Sequence, residues 1–92
     1  MQDKITSEKI EKYRNMTSKA LKLAEKAINK AKEQEGKEII EMVSCYLKDS
    51  EYFEKKGDFV NTFACLNYAH GWLDAGARLK IFLVKDRKLF TV

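Results

Sequence analysis

Apolar and polar positions repeat at helical spacing along almost the whole chain. In residues 7–34, Ile10, Tyr13, Thr17, Ala20, Ala24, Ala27 and Ala31 alternate steps of three and four. That is a heptad seam, and it predicts a first helix over this span. Ser7 or Thr6 is placed to cap its start, with Glu8 and Glu11 near the positive end of the helix dipole. Gly36 is expected to end it in a left-handed cap. Such a helix is about 42 Å long at 1.5 Å per residue, which is long for a domain this small. Met16, Leu21, Leu23 and Ile28 flank the seam and widen its apolar face.

A second helix is predicted over residues 37–56. Ile39, Ile40, Val43, Tyr46, Leu47, Ser50 and Phe53 recur on one face, and most charges take the other. The segment KKGDF then reads as a tight turn, with Gly57 ending one helix and Asp58 capping the next. A third helix is predicted over residues 59–83, with Val60, Phe63, Ala64, Tyr68, Gly71, Ala75, Leu79 and Phe82 as its core stripe. The tail, residues 84–92, either extends this helix or forms a short strand, and Leu89, Phe90 and Val92 are expected to pack on something. The fold class is therefore all-α: a three-helix bundle in one domain, with a long N-terminal helix packed on an antiparallel helical hairpin.

The third helix contains Gly71 and Gly76. Each costs roughly 1 kcal/mol against Ala in a helix interior, so something must offset them. Gly71 lies on the expected core stripe, where its missing side chain would admit the Ala-rich seam of the first helix. Gly76 lies off that stripe, where it would ease a bend or admit a partner.

Composition narrows the function classes. The chain is 92 residues with no proline, 45% hydrophobic and 35% charged, which suits long helices and argues against disorder. No apolar run approaches the ~20 residues a membrane span needs, and MQDKITSEK lacks the apolar core of a secretory signal. The cytoplasm is the default compartment. Cys45 and Cys65 have no metal-ligand spacing and read as buried free thiols. The net charge is +4, with the surplus at the two ends of the chain. That balance suits nucleic acid or an acidic partner without requiring either.

Three constellations carry candidate chemistry. His70, Asp74 and Arg78 are spaced four apart on one helical face, and Asp49 of the second helix is placed to approach them. As a site they offer a base, its orienting carboxylate and an anion anchor. The structural alternative is an Asp74–Arg78 ion pair with His70 at the margin of the core. Lys12, Lys19, Lys22, Lys26 and Lys30 form an outer strip of the first helix. They are spaced to track phosphates, or they form a solvated face paired with Glu25 and Glu33. Trp72 is either a core anchor or an interface hot spot. There is no glycine-rich phosphate loop and no complete set of metal ligands, and no cofactor is implied. The arginine that ribonucleases of the HEPN type place a few residues before their histidine is missing, since Arg14 is far upstream of His70 and Arg78 follows it.

The stretch KDSEYFEKKGDFVNTFACLNYAHGWLDAGARL resembles an archaeal family of a domain of unknown function, family 357. Gly57 and Asp58 at the turn carry the resemblance, followed by Tyr68, Ala69, Gly71, Trp72, Leu73, Asp74, Ala75, Gly76, Arg78 and Leu79. It covers residues 37–83, and Lys80 stands where a further small residue is expected. The resemblance implies a compact all-α domain of archaeal, cytoplasmic origin and no assigned activity. The Gly-Asp turn is also loosely similar to tetratricopeptide hairpins, but a single copy excludes an array.

A hairpin of ~20-residue helices spans about 30 Å, so the first helix would overhang it by about two turns. Ile10 and Tyr13 on that overhang, with Trp72 of the third helix and Phe90 of the apolar tail, are the expected interface of a homodimer or of a contact with a protein partner. The chain thus reads as a self-associating interaction module without catalysis. The alternatives are a nucleic-acid-associated accessory protein using the lysine strip, or an enzyme using the His70, Asp74 and Arg78 face.

Overall fold

Side-chain caps set where the first and third helices begin. In the computed structural model, which describes residues 4–91, α1 runs over Ser7–Glu25, α2 over Glu33–Lys55 and α3 over Phe59–Arg78. A short 3-10 turn, Lys30–Lys32, joins the first two. Thr6 Oγ1 accepts the Lys9 backbone N–H at 3.1 Å. Asp58 Oδ1 accepts the Asn61 backbone N–H at 3.1 Å, and Oδ2 accepts its side-chain amide at 2.7 Å. Those bonds, the backbone one foremost, hold the Asp58 carboxyl below the ordinary carboxylate range. A group lowered in this way supports the fold above that range, and its contribution is lost as pH falls through the lowered value.

The three helices run up, down and up. Tyr13 of α1 meets Phe63 of α3 edge to face at 5.1 Å, which puts the N-terminal halves of α1 and α3 side by side. Arg14 of α1 donates to Ser50 Oγ at 2.9 Å and pairs with Glu54, both near the C-terminal end of α2. The α2–α3 turn forms as expected. Gly57 adopts φ +74°, the Asp58 N–H bonds the Phe53 carbonyl at 2.9 Å and the Gly57 N–H bonds that of Glu54 at 2.9 Å. This is a Schellman cap.

The first and third helices are both shorter than the periodicity predicts, and one structure ends them both. Chain segment 27–29 lies antiparallel to segment 81–83, with a single bridge pairing Ile28 and Phe82. The Asn29 N–H donates to the Ile81 carbonyl and the Leu83 N–H to the Ala27 carbonyl, each at 2.8 Å. The Asn29 side chain donates to the Lys80 carbonyl at 2.9 Å and accepts the Ala31 N–H at 3.0 Å. Ala27 and Ala31 therefore leave the seam: the Ala27 carbonyl accepts from Leu83, and Ala31 falls in the 3-10 turn that Asn29 caps. Lys80 turns left-handed at φ 62°. The Ile81 N–H then reaches the Gly76 carbonyl at 2.8 Å and the Lys80 N–H that of Ala77 at 3.2 Å. That is a second Schellman cap, with Lys80 in the place glycine normally fills.

The clasp also gives two glycines their roles. A Cβ on Gly76 would stand 2.4 Å from Cε2 of Phe82, and one on Gly36 would stand 2.6 Å from Cγ2 of Ile28. Gly36 thus lies in the first turn of α2 as the seat for Ile28, and it does not end α1. Gly71 is the reverse of expectation: nothing lies within 4 Å of where its Cβ would be.

Ile10, Thr17, Ala20 and Ala24 of α1 are buried, as are Ile39, Val43 and Ser50 of α2. From α3 the buried set is Thr62, Leu66, Ala69, Leu73, Gly76 and Ala77, in place of the stripe through Val60, Tyr68 and Leu79. Because α3 is apolar on nearly every side, two stripes had helical period, and α1 and α2 pack on the other one. The tail is neither helix nor strand. After the bridge it runs back over the bundle and buries Phe90 at 3% exposure; Val92 lies outside the described residues.

The two glycines of α3 respond oppositely to one substitution. Gly71→Ala is expected to stabilise by about 0.5–1 kcal/mol through helix propensity alone. Gly76→Ala is expected to destabilise by about 1–3 kcal/mol, because the buried Phe82 ring has no room to yield. Denaturant unfolding of both variants measures this. Lys80→Gly should stabilise by about 1 kcal/mol by relieving a left-handed residue that carries a Cβ; an unchanged or lower midpoint would show that the Lys80 side chain compensates.

Candidate functional site

The His70 face is assembled, but its groups are engaged. The ring lies between α1, α3 and the returning tail. Nε2 is 2.7 Å from the Leu89 carbonyl oxygen, which can only accept, so Nε2 carries a proton and donates. In the neutral ring Nδ1 then accepts from the Thr17 hydroxyl at 3.0 Å. Asp74 Oδ1 lies 3.8 Å from Nε2 and accepts the Thr91 backbone N–H at 2.9 Å. His70 and Asp74 together therefore tie the tail to α3. Among the described residues Arg78 makes no salt bridge, so the expected Asp74–Arg78 pair does not form; Asp74 turns to the tail instead. Asp49 is exposed on α2 and does not join the cluster. It stands near Cys65, whose thiol is pushed up by burial and, to a lesser degree, by the Asp49 carboxylate. Cys45, expected inside, is exposed. Among the described residues no group of three or more His, Cys, Asp or Glu is arranged to hold a metal ion.

The other face of α3 is open. Val60 is 69% exposed, Tyr68 64%, Leu79 59% and Trp72 41%. Ala75 and Gly71 are exposed beside them. Tyr68 stacks on Tyr46 of α2 with ring centroids 5.7 Å apart and planes 15° apart. Between these rings, Ala64, Asn67 and Trp72, the surface dips into an open groove of about 680 Å³ that Gly71 and Ala75 also line. Trp72 also borders a smaller cleft with Ile39, Met42, Glu35 and Glu38. Arg78, at the end of α3, is the one ionisable lysine, arginine, aspartate or glutamate on the solvent side of this helix after Asp58.

Of the four residues expected at an interface, Trp72 alone lies on this open face. Ile10 is fully buried and Phe90 almost so, and Tyr13 is half-buried against Phe63. The reason is length: α1 has 19 residues, about 28 Å, and does not overhang the hairpin. Lys12, Lys19, Lys22 and Lys26 are exposed along α1, and Lys30 follows on the 3-10 turn beyond the break. Lys9 lies over the Phe63 ring at 5.2 Å, and no open aromatic stands among the strip lysines.

A family model described as a protein of unknown function, DUF357, matches residues 12–82. The chain belongs to this family. No curated relative and no solved structure matches it. The span matched closes at Phe82 and so takes in both partners of the Ile28–Phe82 bridge and both glycines beneath them. The strap that His70 holds lies beyond it. Among the described residues no helix is long and apolar enough to cross a membrane.

Periodicity places Tyr46, Tyr68 and Gly71 in the core; Tyr68 and Gly71 lie on the surface instead, and Tyr46 is partly buried at the core's edge. The signal that distinguishes them is the second stripe, Thr62, Leu66, Ala69, Leu73 and Gly76, which has the same alternating spacing and meets the seam of α1.

Replacing His70 by Ala removes two partly buried hydrogen bonds and should cost about 1–3 kcal/mol. The same change should speed tryptic cleavage at Lys85, Arg87 and Lys88. Unchanged cleavage would show that Phe90 holds the strap without His70.

Proposed function

We propose that this domain is a helical interaction module that binds through the outer face of the α2–α3 hairpin. The observation that carries the reading is the uncharged apolar band formed by Val60, Tyr68, Trp72, Ala75 and Leu79, exposed to solvent around a groove that Gly71 helps to line. Monomeric proteins seldom leave so continuous an apolar surface uncovered. Its composition also fits: tyrosine, tryptophan and methionine are the residues enriched at the centres of protein interfaces. Gly71 strengthens the case. A helical glycine that packs against nothing within its own chain is explained by a backbone that must be approached from outside.

The role is assembly rather than chemistry. His70 and Asp74 act as ties for the tail, and the apolar band offers shape and dry contact. The lysine strip is a solvated face in this reading, since the aromatic nearest to it, Tyr13, is turned onto Phe63.

The single tryptophan reports on this face directly. Trp72 emission should be quenched by acrylamide in the dilute chain and become protected and blue-shifted when the face is covered. Tyr68→Ser with Leu79→Ser should abolish that protection and the binding of an apolar dye while costing no more than about 1.5 kcal/mol of unfolding free energy, chiefly the lost Tyr46–Tyr68 stack. Unfolding of the double variant would mean that the band is core and would remove the basis of the reading.

A further inference from the structure

The solvent face of α3 has a property that a generic docking surface lacks. Its central positions are Val60, Ala64, Tyr68, Gly71, Ala75 and Leu79. The steps between them are four, four, three, four and four, which read the same in both directions. The side chains match under the same reversal. Val60 answers to Leu79 and Ala64 to Ala75, so apolar meets apolar at the ends and small meets small between. At the centre Tyr68 answers to Gly71, the largest residue of the stripe to the smallest.

We infer that the occupant of this face is a second copy of the same chain, with its α3 antiparallel and a two-fold axis passing between the two helices at the level of the Ala69–His70 peptide. This rests on the reading of the face as an interaction surface and specifies what covers it. A two-fold contact brings one surface patch onto itself, and an antiparallel helix pair does so only when its contact stripe reads alike in both directions. Tyr68 of each copy then packs at the level of Gly71 of the other. The open groove beside that glycine, of about 680 Å³, is the space the incoming ring enters. No other part of the chain comes within 4 Å of a Gly71 Cβ, so the position is open to that ring.

Charge agrees with this pairing. Asp58 caps the N-terminus of α3 and Arg78 occupies its last turn. Antiparallel pairing sets each Arg78 guanidinium close to the other copy's Asp58 and opposes the two helix dipoles. A parallel pair would set like charges together at both ends. The polar residues Asn61 and Asn67 lie at the flanks of the stripe, where an interface rim stays wet.

The experiment is solution molar mass of the full chain by light scattering across a dilution series, joined to a cross-linking test of direction. Wild type is expected to be a dimer that dissociates on dilution. Gly71→Leu should raise the dissociation constant about tenfold or more, while the diluted, monomeric chain keeps or gains thermal stability, because the site is open within the chain. For direction, Ala64→Cys and Ala75→Cys are made singly in a chain with Cys45→Ser and Cys65→Ala. Mixing the two should give a cross-linked heterodimer, and neither alone should cross-link, since like positions stand ~16 Å apart along the axis. A monomer at every concentration would overturn the inference, as would a dimer indifferent to Gly71→Leu or one in which Ala64→Cys cross-links to itself. If the monomer's face still binds an apolar dye and loses it with Tyr68→Ser, the inference fails while the interaction surface stands. If the dye binding is absent or unaffected, both fail.

Discussion

The bundle is closed at one end by two backbone hydrogen bonds that join segment 27–29 to segment 81–83, and most of the architecture follows from them. They stop α1 at Glu25 and α3 at Arg78, although the local sequence of each would continue as helix. They also aim Ile28 and Phe82 inward, each onto a glycine of a neighbouring helix. An apolar ring pressed against bare helical backbone fills space at near-crystalline density, and a packed interior tolerates little change in volume. Gly36 and Gly76 are therefore part of the packing, and their loss of helix propensity is offset by what they admit.

The same clasp decides which side of α3 faces water. Once Phe82 lies on Gly76, the side of the helix bearing Leu73, Ala69, Leu66 and Thr62 is turned to α1 and α2. The opposite side, with Gly71 and Ala75, is exposed, and Tyr68 at its edge stacks on Tyr46 of α2. The polar cluster of His70, Thr17, Asp74 and the tail lies along the flank toward α1, where it holds the strap over the bundle. The domain thus puts its polar side-chain chemistry to structural use on one flank and leaves a band of exposed apolar residues, with Arg78 at its end, on the open side of α3. That division is the physical basis for treating it as an interaction module.

Legibility in the sequence varied with how local each signal was. The Gly57–Asp58 turn was readable because a left-handed glycine and an N-cap carboxylate act within a few residues of themselves. The seam of α1 from Ile10 to Ala24 was readable because alanine is otherwise hard to place on a solvent face at such regular spacing. Ala27 and Ala31 continued that rhythm and misled, since nothing local marks Asn29 as the residue that ties the chain to Lys80 and Ile81. The interface expectation failed at Ile10, where a helix drawn too long appeared to overhang, and at Phe90, where the tail folds back over the bundle. At His70, spacing brought Asp74 onto the same face, but the Leu89 carbonyl and the Thr91 N–H reach them only after the tail has folded back.

By itself the sequence determined that the chain is helical, that it holds three helices with a tight Gly-Asp hairpin, and that it has enough apolar surface for a core. Those properties depend on residue type, spacing and capping, which act over a few positions. The tertiary structure alone decided where α1 and α3 stop, which of two apolar stripes on α3 is buried, and that Gly76 is packed while Gly71 is open. These depend on pairings between residues some fifty positions apart, such as Ile28 with Phe82 and Thr17 with His70. A helix apolar on nearly every side carries no local mark of its inner face; the neighbours that pack against it make that choice.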